Sequence, residues 1–113
     1  MAFTVAAREA AALAITGLGA YISLHTADPS TTGASETSGG GYVRKLTTWT
    51  GGAADGSVPG SQVTIDVAAG TYTWAGIWSA STAGTFVGGL PLSASAVLGA
   101  TGQVLVTPTV TAT

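Results

Sequence analysis

The clearest strand pattern in this chain lies in residues 62–80, which read Gln62-Val-Thr-Ile-Asp-Val-Ala-Ala-Gly-Thr-Tyr-Thr-Trp-Ala-Gly-Ile-Trp-Ser-Ala80. In the first part Val63, Ile65 and Val67 alternate with polar residues, and this period of two is typical of a strand that buries one face. The small pair Ala69-Gly70 supplies a turn. The stretch therefore predicts two strands, at 62–68 and 71–80.

The same period of two continues on both sides of this stretch. Further strands are predicted at 20–25, 42–49, 85–92 and 103–109, and residues 93–97 read as a short strand or an irregular connection. Because no helix separates the later strands, the pattern favours antiparallel pairing. The chain is therefore predicted to be mainly β, a single domain over residues 1–113. Its expected architecture is an antiparallel β-sandwich or small barrel of about six or seven strands with one short N-terminal α-helix.

The helix is predicted at residues 4–16, with Thr4 as its N-cap and Gly17 at its end. It is mostly alanine, which favours helix formation but buries little area, so we expect it to lie close against a partner surface in this chain or a neighbour. The C-terminal residues 106–113 are β-prone but contain Pro108. They are expected to form an edge strand or an arm that reaches a neighbouring subunit.

Charged residues are scarce, with three basic and five acidic side chains among 113 residues, whereas ordinary globular domains carry about a quarter. Such a surface suits a protein packed against copies of itself or against a larger particle. Nucleic-acid binding is not expected, because clustered Lys and Arg are missing. No stretch reaches the roughly 18 apolar residues of a membrane helix, and the N-terminus lacks a signal-peptide pattern. The absence of cysteine excludes disulfides and thiolate metal sites.

No catalytic, cofactor-binding or metal-binding residues are predicted. His25 and Ser23 share a strand face, but a hydrolytic triad is assembled from several elements around a cleft, so His25 is expected to hydrogen-bond the loop at Asp28-Pro29. The acids are scattered without calcium-loop spacing and are expected to be solvated. The glycines of Ser38-Gly-Gly-Gly41 are expected to adopt positive φ angles and to allow close backbone approach.

Contacts with other subunits are expected to use the aromatic residues, the helix and the C-terminal segment. Aromatic side chains anchor both cores and interfaces, and one of Arg44 and Lys45 is expected to pair with a carboxylate across a subunit boundary. The predicted interface residues are Val5, Leu13, Trp49, Trp78, Arg44 and Val110.

Three segments together resemble a family of small structural proteins of tailed bacteriophages, often labelled tail fibre or minor tail proteins. They are Tyr21-Ile-Ser-Leu-His-Thr-Ala-Asp-Pro29, Ser38-Gly-Gly-Gly-Tyr-Val-Arg-Lys45, and Ala75-Gly-Ile-Trp-Ser-Ala80 followed by Gly84-Thr-Phe-Val-Gly-Gly89. The resemblance covers roughly residues 4–95. It implies a place in the virion and no catalytic residues.

The leading hypothesis is a non-enzymatic virion structural protein, made in the host cytoplasm, that binds the capsid surface in many symmetric copies. Its partners would be the major capsid protein or tail proteins, and it would form homo-oligomers. One alternative is a tail component: a minor tail, baseplate or fibre-attachment protein. Another is a receptor- or carbohydrate-binding module with exposed aromatic residues.

Overall fold

The computed structural model describes residues 2–51 and 53–112. Over these residues the chain forms one α-helix and eight β-strands, which confirms a mainly β fold with a short N-terminal helix. The elements are α1 (Val5–Thr16), β1 (Tyr21–His25), β2 (Lys45–Leu46), β3 (Ser57–Pro59), β4 (Val63–Val67), β5 (Gly70–Trp78), β6 (Phe86–Leu98), β7 (Gly102–Val106) and β8 (Thr109–Thr111).

The strands form three antiparallel sheets that together make a sandwich-like arrangement. The largest sheet has the order β2-β1-β5-β6, and the pairs β3-β8 and β4-β7 form two smaller ones. The two strands predicted at 62–68 and 71–80 are β4 and β5, but they belong to different sheets and do not pair with each other. The turn between them therefore carries the chain from one layer to the next.

The core lies between these sheets and is built from the alternating strand residues. In β4 all three apolar positions, Val63, Ile65 and Val67, are buried, while Thr64 is exposed. They pack with apolar side chains of the neighbouring strand β7 and of the other sheets, namely Ile22, Leu24, Val58, Tyr72, Ala75, Ile77, Val104, Val106 and Val110. Full burial of one such aliphatic side chain contributes roughly 1.5–3 kcal/mol, so the period of two seen in the sequence carries much of the stability.

The helix begins and ends where the sequence predicts. The Thr4 hydroxyl accepts a hydrogen bond from the Ala7 backbone N–H at 3.1 Å, which satisfies one of the free donors of the first turn. Helix α1 packs on β3 and β8 of its own chain, and Ala12, with no exposed surface, allows the close approach expected of a small side chain. Within the described residues, no helix is long and apolar enough to cross a membrane.

Two regions differ from the strand predictions. Residues 42–49 form only the two-residue strand β2 and an isolated bridge at Trp49, because Tyr42 and Arg44 turn away to contact Glu36.

Residues 86–98 form one strand rather than two, and residues 92–95 bulge out between the pairs Trp74–Pro91 and Tyr72–Ala96. The bulge replaces the irregular connection that the sequence suggested at 93–97.

One short strand, β3, was missed by the sequence pattern, and a second, β8, was predicted only as one of two possibilities for residues 106–113. Strand β3 lies between the strands predicted at 42–49 and 62–68, where the sequence predicts none, and pairs with β8. Both are three residues long and each lies next to or contains a proline, so neither shows a readable period. Because β8 pairs with β3 and Val110 is only 4% exposed, the C-terminal segment forms an edge strand of its own chain rather than a free arm.

Candidate functional site

A polar network beside strand β1 joins the long loop 27–44 to the turn 79–85. We call it the loop network and define it as Ser23, His25, Glu36, Tyr42, Arg44 and Trp78. Its centre is the stack of the Arg44 guanidinium on the Trp78 ring, 3.7 Å from Arg44 Cζ to the ring centroid. The Phe86 ring meets Trp78 edge-on at a centroid distance of 5.1 Å, so two aromatic side chains and one cation form a rigid platform.

Arg44 is bound through nearly all of its donor groups. Its Nε and Nη2 donate to the two carboxylate oxygens of Glu36, each at 2.8 Å. Its Nη1 donates to the carbonyls of Ala80 and Ala83, at 3.1 and 2.8 Å. Only a planar guanidinium can make this fork while stacking on a ring. The carboxylate partner of Arg44 therefore comes from the same chain and not from across a subunit boundary.

Glu36 is held in its charged form by this environment. Burial alone would raise its pKa, but hydrogen bonds from Arg44 and Tyr42 outweigh burial and place the pKa of Glu36 below its usual range. The same bond to Glu36 raises the pKa of Arg44. Glu36 is thus a paired, partly buried carboxylate, and the expectation that all acids are solvated is wrong at this position.

Tyr42 links the ion pair to strand β1. Its hydroxyl donates to Glu36 Oε2 at 2.7 Å and accepts from the Leu24 backbone N–H at 3.1 Å. Burial and the bond to the Glu36 carboxylate raise the pKa of Tyr42 well above its usual range. The hydroxyl therefore stays protonated and acts as a fixed hydrogen-bond bridge.

Ser23 and His25 continue the network into the interior. His25 Nδ1 lies 2.7 Å from the Ala34 carbonyl oxygen and Nε2 lies 2.7 Å from Ser23 Oγ. Because a carbonyl only accepts, Nδ1 carries the proton of the neutral ring, and Ser23 donates to Nε2 while accepting from Trp78 Nε1 at 3.0 Å. The acceptor is Ala34, whose own N–H donates to the Pro29 carbonyl, so His25 bonds the predicted loop but not at Asp28 or Pro29 themselves.

This serine–histidine pair has no route to a substrate, since both side chains have no exposed surface. A nucleophilic Oγ needs a cleft around it and donors for the developing oxyanion. The Ser23–His25 pair instead contacts the Ala34 carbonyl and the Trp78 ring, and these two groups hold the pair in place. The geometry therefore assigns Ser23 and His25 to positioning the loop. Among residues 2–51 and 53–112, no cluster of three His, Cys, Asp or Glu side chains lies close enough to hold a metal ion.

We expect the stability of the protein to fall as the pH drops below 6.5. Burial lowers the pKa of His25 from 6.5, so the unfolded chain binds a proton more readily than the folded one. This part of the stability is complete above pH 6.5 and is lost as the pH falls towards the lowered pKa. Urea unfolding between pH 7.5 and 5.5 measures it.

The titration can be assigned because His25 is the only histidine of the chain. Its ring protons give one set of NMR signals, and they should titrate below pH 6.5. A midpoint at or above 6.5, with stability flat down to pH 5.5, would contradict the assignment of a buried neutral ring.

The structure places the predicted interface residues in different environments. Trp78 and Arg44 meet in the loop network, while Trp49 is half-buried and donates from Nε1 to the Gly19 carbonyl at 2.9 Å. Val5 and Leu13 on α1 are 41% and 44% exposed. Val110 is in the core. Contact with another subunit remains a prediction for each of these residues.

The sequence reading missed Glu36 and Tyr42, although both belong to the network. The sequence feature that could have indicated this contact is the glycine-rich turn between Glu36 and Arg44, which are eight residues apart. Such a turn folds the chain back on itself and brings these two residues together. Gly39, Gly40 and Gly41 all have positive φ angles, as expected, and Gly40 lies against the backbone of Val67 and Ala68. The turn therefore places Arg44 back over Glu36.

The arrangement is that of a preorganised surface. Next to the network lies an open groove of about 280 Å³, lined by Thr37, Val43, Ser81, Thr82 and Ala83 together with Glu36, Tyr42 and Arg44. Val43 on its rim is 53% exposed. Because the loops are held by an ion pair and a stacked ring, this surface keeps its shape before any partner arrives.

Comparison with known proteins gives one finding on identity. A family model described as "Podophage GP4 fiber I protein gp80" matches residues 6–111. The matched range includes all of the helix except its first residue, the loop network and all eight strands. No match was found to an individual curated protein.

Proposed function

Because this chain belongs to the family of the podophage GP4 fiber I protein gp80, we propose that it is a structural component of a phage tail fibre. Membership in a fibre family places it in the virion. It also favours the tail-component hypothesis over capsid decoration, since a fibre is an appendage of the virion and not part of its shell. The match over residues 6–111 is the observation that carries this proposal.

The shape of the molecule supports a modular role. The described chain has a longest dimension of 45 Å and a width of 24–27 Å. A fibre longer than this must join several such modules or combine them with other proteins. Scarce charge lowers the cost of burying surface at those joints, because few ionised groups lose their water.

Exposed apolar side chains around α1 are available for such a joint. We call them the helix patch, which consists of the large side chains Phe3, Val5, Leu13, Ile15 and Leu18. Leu13 and Ile15 are two positions apart and therefore lie on different sides of α1, so these side chains offer apolar contacts on more than one side of the helix. The helix patch and the rigid loop network lie on different elements, so a module could contact more than one neighbour.

Immunogold electron microscopy of intact virions tests the proposal. Antibodies raised against the purified protein should label the tail fibres, and fractionated heads from a tail-less mutant should carry no label. Label distributed over the capsid of those heads would restore the decoration hypothesis and overturn the fibre assignment. Antibody preabsorbed with the purified protein is the control for specificity.

A further inference from the structure

Helix α1 turns a carboxylate towards its own chain. Glu9 is only 7% exposed, and together with Ala12 and Thr16 it forms the buried side of α1. Both oxygens of its carboxylate are shielded from solvent, and within residues 2–51 and 53–112 they receive no hydrogen bond and form no ion pair. Taking an ionised carboxylate out of water without a partner is costly. The packing of α1 on the sheets is therefore destabilised at Glu9.

The apolar contact that opposes this cost is small. Ala12 is the one apolar side chain of α1 that is fully buried, in the same core cluster as Val58 of β3 and Val110 of β8. The larger side chains Val5 and Leu13 stay more than 40% exposed. Hydrophobic stabilisation grows with the apolar area removed from water, and one methyl group removes little. The contact therefore offsets little of the cost of burying Glu9.

The hydrogen bonds of α1 lie within the helix and its caps. At one end the Thr4 hydroxyl accepts from the Ala7 N–H, and at the other the Gly17 N–H donates to the Leu13 carbonyl at 3.0 Å. In the described part of the chain, no hydrogen bond or ion pair joins residues 4–17 to the strands or to the loops between them. The helix can therefore leave the sheets without breaking a hydrogen bond.

A pivot is available directly after the helix. Gly17 ends α1, and Leu18, which follows it, is 64% exposed. Gly19 is fixed, because a Cβ there would collide with the Trp78 carbonyl and its own carbonyl accepts the hydrogen bond from Trp49 Nε1. Movement of α1 is therefore confined to Gly17 and Leu18, ahead of the fixed start of the sheet.

We propose that α1 is a releasable element, which swings out from β3 and β8 as a unit and returns while the three sheets stay folded. Release brings the Glu9 carboxylate back to water, and this gain makes the docking of α1 weaker than the rest of the fold. The released helix presents its formerly buried side together with the helix patch. The inference rests on the contacts of α1 and goes beyond the place of the protein in the fibre.

Labelling of a single buried thiol measures the release. The chain contains no cysteine, so Ala12→Cys places its one thiol at a position with no exposed surface. Ala75→Cys is the matched variant, because its position in β5 is 1% exposed and reports opening of the largest sheet. A maleimide in excess should label the thiol at position 12 at least about 100-fold faster than the thiol at position 75. Equal rates would mean that α1 leaves only when the whole protein unfolds, and would overturn the proposal.

Removing the charge at position 9 tests the cause of the release. Glu9→Met, added to Ala12→Cys, keeps an unbranched side chain of similar helix propensity. Without the carboxylate, the thiol at position 12 should react at least about tenfold more slowly. Ala14→Met is the matched control, because it adds the same side chain at an exposed position of α1, and it should change the rate less than about twofold. Unchanged labelling in Glu9→Met contradicts the proposal.

Amide hydrogen exchange of the unsubstituted protein tests the release without a new thiol. Once released, a helix of 12 residues is marginally stable, so its amides exchange. The amides of residues 9–16 should exchange at least about 100-fold faster than those of β5, and low urea concentrations should hardly change their rate, because release exposes little surface. Exchange of both segments at one rate, with the same strong dependence on urea, contradicts the release. This result can occur while immunogold still labels the tail fibres, so it is distinguishable from failure of the proposed function.

Discussion

Gly76→Ala is expected to destabilise the protein by about 3 kcal/mol or more, because its position in β5 faces the centre of the loop network. A Cβ there would lie 2.5 Å from Ser23 Oγ, 2.7 Å from His25 Nε2 and 3.0 Å from Phe86 Cε1. Overpacking a core costs about 1–3 kcal/mol, and a buried hydrogen bond left unsatisfied costs about as much again. To make room for this Cβ, the His25 ring and the Ser23 hydroxyl must move, and this movement disrupts the hydrogen bond between them.

Thermal and urea unfolding measure this effect, with an expected fall in Tm of roughly 10 °C or more. Gly88→Ala is the matched control, since a Cβ at that position on β6 meets nothing within 4 Å, and its cost should stay within about 0.5 kcal/mol. Ser23→Ala should partly relieve Gly76→Ala, so the double variant should cost less than the two singles added. Equal stability of Gly76→Ala and Gly88→Ala would show that the network is not tightly packed.

The sheet core was readable from the sequence because its signal is local. Val63, Ile65 and Val67 alternate within five residues, and the structure buries all three. The N-cap at Thr4 is equally local, since its partner is three residues away. Which strands pair was not readable: β4 and β5 are adjacent in sequence yet belong to different sheets, and register depends on contacts between distant segments.

The candidate site was only partly readable for the same reason. Arg44 and Trp78 were both singled out, but nothing local indicates that a residue at 44 stacks on a ring at 78. The pattern at 42–49 suggested a strand, and the ion pair with Glu36 overrides that preference by turning Tyr42 and Arg44 out of the sheet.

Glu36→Gln is expected to cost about 2–3 kcal/mol at neutral pH, because it leaves a nearly buried guanidinium without its carboxylate. The Arg44 side chain is 9% exposed and that of Glu36 is 22% exposed. Breaking a fully buried pair costs about 3–5 kcal/mol, and the partial exposure of Glu36 reduces this figure. The amide also replaces one acceptor oxygen with a donor, which faces the hydrogens of Arg44 or Tyr42.

The pH dependence distinguishes this mechanism from a loss of packing. Since the folded pKa of Glu36 lies below 4.5, its charge stabilises the protein above pH 4.5, and this contribution disappears as the pH falls through the lowered pKa. The difference in unfolding free energy between the unsubstituted protein and Glu36→Gln should therefore be largest near pH 7 and shrink in acid.

Asp66→Asn is the matched control, because it makes the same charge change at a carboxylate that accepts an exposed hydrogen bond from the Gln103 side chain at 3.0 Å. It should cost no more than about 0.5 kcal/mol. A pH-independent loss for Glu36→Gln would mean that shape, and not the ion pair with Arg44, holds the loop to the sheet.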